Sequence, residues 1–132
     1  MNKRFLKIAA FMGALTVIFG AFAAHAIKSR VNAETLSIFE TGVRYQMYHV
    51  FAIFLLGIIY KEFSFKFLVW AGNLFLAGIV LFSGSLYALV FFKANGNENM
   101  NWLGAVTPFG GTCFIVGWSL ILLSLYQTKK SN

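Results

Sequence analysis

Phe67–Phe92 runs for roughly 26 residues without a single charged side chain. That is long enough to cross the ~30 Å hydrocarbon core of a bilayer with some tilt. Three other apolar runs, about residues 8–27, 41–60 and 106–126, are of similar kind. A chain of 132 residues that is 59 % hydrophobic, with sixteen Phe and only 11 % charged residues, has too little interior to hide this surface from water. A mean hydropathy of +0.74 points the same way. The expectation is an all-α, four-helix transmembrane bundle, one domain over residues 1–132.

The formal net charge of +7 is not a nucleic-acid signal. A nucleic-acid-binding domain gathers its Lys and Arg on one face, whereas these punctuate the ends of apolar runs. Lys3, Arg4, Lys7, Lys61, Lys66, Lys129 and Lys130 fall on one side of the predicted spans, and Lys28, Arg30 and Lys93 on the other. By the positive-inside rule both termini are expected in the cytoplasm. Cys113 is the only cysteine, which excludes an intrachain disulfide.

Ile8–Ile27 contains A-x-A-like triplets at Ala21-Phe22-Ala23 and Ala24-His25-Ala26, so a cleaved signal is the competing reading. The run exceeds a usual signal core, however. Ala10, Gly13, Val17, Gly20 and Ala24 also form a small-residue stripe of the kind helix contacts in membranes favour, so a retained span is expected. Asn32 is a predicted N-cap, with Glu34 in the first turn, for a helix over Ala33–Tyr60. Such a helix is about 42 Å long, more than the bilayer needs, so its first turns project into the interface. Ala71, Gly78, Ser85 and Ala88 give the third span a small face, and Gly110, Cys113, Gly117 and Ser124 the fourth. Lys93–Asn101 reads as a solvated loop. Thr107-Pro108 is expected to start the last helix, with Thr as N-cap and Pro at the first position.

The chemistry-bearing stretch is Glu40-Thr41-Gly42-Val43-Arg44-Tyr45-Gln46-Met47-Tyr48-His49, which runs straight into the charge-free Val50–Tyr60. Ionisable groups at that depth are costly and need partners. Glu40 and Arg44 lie four apart in the favoured order, with Tyr48 one turn on; Thr41, Tyr45 and His49 make the neighbouring row. This flank is expected to face the other helices. His25 from the first span, Ser83, Ser85 and Tyr87 from the third and Thr107 from the fourth fall at a similar level. Together with Gln46 they compose a predicted polar cluster centred on Arg44, suited to a small anionic or lipid-headgroup ligand.

Each member also has a purely structural reading. Glu40–Arg44 is then an ion pair that admits Arg to the interface, His25 a helix-end histidine, and His49 a neutral imidazole bonded across helices. No catalytic residues and no metal site are predicted: nothing has the short spacing of a zinc site. No nucleophile elbow, phosphate-cradling loop or paired catalytic carboxylates occur. His25 and His49 could serve a haem- or quinone-associated redox subunit, the alternative to a non-enzymatic accessory or scaffold protein. The Phe and Trp residues read as lipid-facing bulk and interface anchors, with the bilayer, a second copy or a larger membrane complex as partners.

Gly20-Ala21-Phe22-Ala23-Ala24-His25-Ala26, the run from Phe39 to His49, Ser83-Gly84-Ser85-Leu86-Tyr87 and Thr107-Pro108-Phe109-Gly110-Gly111 resemble the "domain of unknown function 423" family. The resemblance covers nearly the whole chain. It departs at Ala23-Ala24-His25-Ala26, where the family pattern carries glycine on either side of Ala-His. It implies a small multi-pass protein of bacterial inner membranes and brings no activity with it.

Overall fold

Helix boundaries follow from local capping. In the computed structural model, which describes residues 1–63, 65–97 and 99–128, α1 spans Lys3–Phe22 and is capped by Asn2. The Asn2 Oδ1 accepts from the N–H groups of Arg4 at 3.1 Å and Phe5 at 3.4 Å. The Asn2 N–H donates in turn to Gly57 O at 2.7 Å, tying the chain start to the far end of the second span. α1 runs on through a wide π-turn, Ala23–Ile27. α2, Ala33–Ile59, is capped as expected: Asn32 Oδ1 accepts from Thr35 N at 2.8 Å, satisfying a first-turn donor.

The third span is one continuous rod of three pieces: α3 (Phe65–Gly78), a π-turn (Ile79–Ser83) and α4 (Gly84–Ala94). At the π-turn the Gly84 N–H reaches back five residues to Ile79 O, so the helix carries one residue more than an ordinary turn. Gly96, at φ 76°, closes the end of α4 in the left-handed region where a Cβ is disfavoured. A 3₁₀ turn, Asn101–Ala105, intervenes between the expected loop and α5, Thr107–Thr128. Four helices are long and apolar enough to cross a membrane, Lys3–Ile27, Ala33–Ile59, Lys66–Ala94 and Asn101–Gln127, and no strand occurs among the described residues. The basic tail residues Lys129 and Lys130 lie outside the described residues.

The spans pack in chain order: α1 on α2, α2 on the third span, and α3 on α5. The second and third spans are the more buried pair. A larger core joins Phe5, Ala9, Ile53, Leu56, Leu68, Phe75 and Phe114; a smaller one at the other end holds Ala23, Ile27, Phe39 and Val90. The predicted small stripes on the third and fourth spans do meet a partner. A Cβ at Gly78 would collide with the Phe114 ring, one at Gly117 would lie 2.5 Å from Phe75, and one at Gly110 would strike the Phe82 backbone.

On α1 the stripe is only half right. Gly13 and Gly20 face Val50 and Val43 of α2, but Ala10, Val17 and Ala24 are exposed. The buried face is Phe5, Ala9, Thr16, Ala23 and Ile27, because Phe5 inserts its ring over Gly72 and rotates α1 accordingly.

Candidate functional site

Which face of α2 turns inward decides the site. The buried positions include Thr35, Phe39, Gly42, Gln46, His49, Ile53 and Leu56, a 3/4 stripe along one side, joined in the second half of the helix by Val50, Ala52 and Gly57. The row Glu40, Arg44, Tyr48 is exposed, and of Thr41, Tyr45 and His49 only His49 is buried. The reason is steric: the Tyr87 ring lies against Gly42, where an added Cβ would sit 2.7 Å from it.

The interior polar contacts are therefore not those of a cluster centred on Arg44. The Arg44 Nη2 donates to Thr41 Oγ1 at 3.0 Å on its own helix, and Thr41 donates to Ser37 O at 2.8 Å. Glu40 and Arg44 line a shallow recess with Ala23 and Ala24 of the first span and form no ion pair among the described residues. A long Arg side chain at a helix's outer turns can keep its charge in the interface, so it needs no buried acceptor. His25 is exposed within the first π-turn, away from the residues around His49.

Bonds between spans form along the buried stripe instead. Ser83, itself 0 % exposed, donates to Gly42 O at 2.7 Å. The Tyr87 hydroxyl donates to Gln46 Oε1 at 2.8 Å, while Gln46 Nε2 is buried without a partner among the described residues. Ser85 donates its single proton to Phe82 O at 2.9 Å, so in the 2.8 Å contact with Thr107 the threonine is the donor. Thr107 thus directs its hydroxyl to the third span, the opposite of the predicted N-cap role.

His49 has both ring nitrogens engaged. Nδ1 lies 2.7 Å from Tyr45 O, an acceptor only, so Nδ1 carries the proton. Nε2 is left as an acceptor and receives the Trp118 indole N–H at 3.3 Å. The imidazole stacks on Phe114 with centroids 3.5 Å apart and planes 6° apart, with Phe75 at 5.2 Å. Ligating a haem iron through Nε2 would require breaking the Trp118 bond. No group of three metal-ligating side chains occurs among the described residues.

Beside His49 a groove of about 610 Å³ opens between α2 and α5, walled by Tyr45, Tyr48, Phe82, Phe114 and Trp118. Trp118 and Phe114 were not among the expected site residues. Trp118 lies 69 positions from His49, and no spacing within one helix foretells that meeting. Tryptophan was expected only as bulk or anchor, yet this one turns its N–H inward.

A sequence profile of the family described as "Protein of unknown function (DUF423)" matches residues 19–111. This chain belongs to that family. The matched region holds every expected site residue from His25 to Thr107 and leaves out Trp118. The chain is 37 % identical over 125 residues to the UPF0382 membrane protein of Staphylococcus aureus strain bovine RF122, covering 95 % of this chain and 97 % of the relative. It is 36 % identical to that of Haemophilus influenzae, covering 98 % and 99 %. It is 37 % identical to the UPF0382 membrane protein YwdK of Bacillus subtilis, covering 92 % and 95 %. No solved structure matches.

Proposed function

We propose that this protein is a non-enzymatic accessory bundle of the bacterial cytoplasmic membrane, with both termini inside the cell. The observation that carries the reading is that Ser83, Ser85, Thr107, Tyr87 and both nitrogens of His49 are bonded within the protein. Groups engaged in this way fasten helices rather than wait for a reacting atom. The excess of basic residues on one side supports the orientation. Relatives in Staphylococcus aureus and Bacillus subtilis that are named membrane proteins support a membrane location. The outward faces of α1 and α5 are the surfaces offered to lipid, a second copy or a larger complex.

The test is the absorption spectrum of the protein purified from its own host membrane in mild detergent. Only Trp and Tyr absorption is expected; a Soret band, or a quinone that is lost when His49 is replaced by Leu, would overturn the reading in favour of the redox alternative using His25 and His49. Terminal fusions to a reporter that fluoresces only in the cytoplasm are expected to light up at both ends.

A further inference from the structure

We propose that the end of the bundle carrying the α1–α2 connection binds an anionic phospholipid, with its phosphate between Arg30 and Lys93 and an acyl chain in the aromatic groove beneath. Two spaces lie there. A polar recess of about 330 Å³ is lined by Arg30, Asn32, Thr35, Lys93 and Asn101, together with Val31. An apolar groove of about 300 Å³ is walled by rings from the first three spans, among them Phe19, Phe39 and Phe92.

The same three segments build both spaces. The Arg30 N–H bonds Ile27 O at 2.9 Å, and Ile27 lines the groove. Thr35 of the recess and Phe39 of the groove are one turn apart on α2. Lys93 and Phe92 are consecutive at the end of α4. Along each segment a polar group at the bundle end is thus followed by an apolar one further in, the polarity gradient of a membrane lipid.

The charge selects the headgroup. Among the described residues two cations and no carboxylate line the recess, and neither cation forms an ion pair. Asn32 has its Oδ1 engaged with Thr35 N, which leaves its amide N–H groups to donate. A free anion would occupy the recess and leave the groove unused, and a headgroup without net charge would leave the two cations unmatched. An anionic phospholipid matches both spaces, and clustered basic residues at the interface are how proteins select such lipids.

The experiment places the purified chain in nanodiscs of equal parts phosphatidylglycerol and phosphatidylcholine and reads the retained lipid by native mass spectrometry. Enrichment of phosphatidylglycerol is expected. Arg30→Gln with Lys93→Gln lowers that enrichment roughly tenfold, whereas Arg30→Lys with Lys93→Arg keeps it. Ala88→Phe, which fills the groove without touching the charges, lowers total lipid retention. Circular dichroism verifies that each variant remains folded. Unchanged enrichment in the double Gln variant overturns the proposal. So does inorganic phosphate stabilising the detergent-solubilised protein against heat as well as short-chain phosphatidylglycerol does, because the recess would then take a free anion.

Discussion

The α3–α5 seam and the seam between α2 and the π-turn with α4 hold this bundle in different ways. Between α3 and α5 the contacts are glycine against ring: Gly78 on Phe114, Gly117 on Phe75. Between α2 and the π-turn with α4 they are hydrogen bonds: Ser83 to Gly42 O and Tyr87 to Gln46. Inside lipid, apolar helices gain nothing by leaving acyl chains for one another, so association needs close fit or polar pairing. This protein uses one of each. Fit is intolerant of added volume, and pairing is intolerant of removing one partner alone.

The comparison breaks first at glycine. Gly110→Leu places a side chain against the Phe82 backbone, which cannot yield as a side-chain tip can. We expect a loss of about 3 kcal/mol or more in unfolding titrations in bicelles. Its neighbour sharpens the point: a Cβ at Gly111 meets only Phe82 Cδ2 at 3.9 Å. Gly111→Ala should therefore be neutral, or stabilising by up to about 1 kcal/mol from backbone entropy.

Next is the polar seam. Tyr87→Phe leaves the whole Gln46 amide unpartnered at a site 1 % exposed, and is expected to cost about 1–3 kcal/mol. Combining it with Gln46→Leu should recover most of that loss, since replacing both partners removes the orphaned donor as well. If the double variant is as weak as the single, the bond is not what holds the seam. Smaller again is Trp118→Phe, which removes one donor to His49 and should cost about 0.6 kcal/mol. Its visible sign is a change in the His49 ring nitrogen shifts.

Smallest of all is Arg44→Ala. With an exposed side chain and a partner on its own helix, it should change stability by no more than about 0.5 kcal/mol. A collapse of the fold would restore Arg44 to the centre of the site.

Much of this architecture is legible in the sequence because membrane spans declare themselves by length and charge. The α2 cap at Asn32 and the glycine faces of the third and fourth spans follow from equally local rules. Gln46, Tyr87, Ser83, Ser85 and Thr107 are indeed joined between spans. Arg44, Glu40 and His25 are not, because the fit of the Tyr87 ring against Gly42, not charge, sets the inward face of α2. Phe39, Gly42, Gln46, His49 and Ile53 already formed a 3/4 stripe, and the small Gly42 marked where a ring from another span would enter. The π-turn at Ile79–Ser83 and the Trp118–His49 bond depend on registers between helices, which no single-helix pattern encodes.

That π-turn has a consequence for the third span as a whole. The extra residue sets the phase of everything after it back by roughly 100° relative to the same sequence in an uninterrupted helix. One rod can therefore aim Phe75 and Gly78 at α5 and, a few residues later, Ser83 and Tyr87 at α2. Excising a single residue there would let the span run as an unbroken α-helix with Tyr87 still aimed at Gln46, whereas forcing the present sequence into regular α-helix would swivel Tyr87 away.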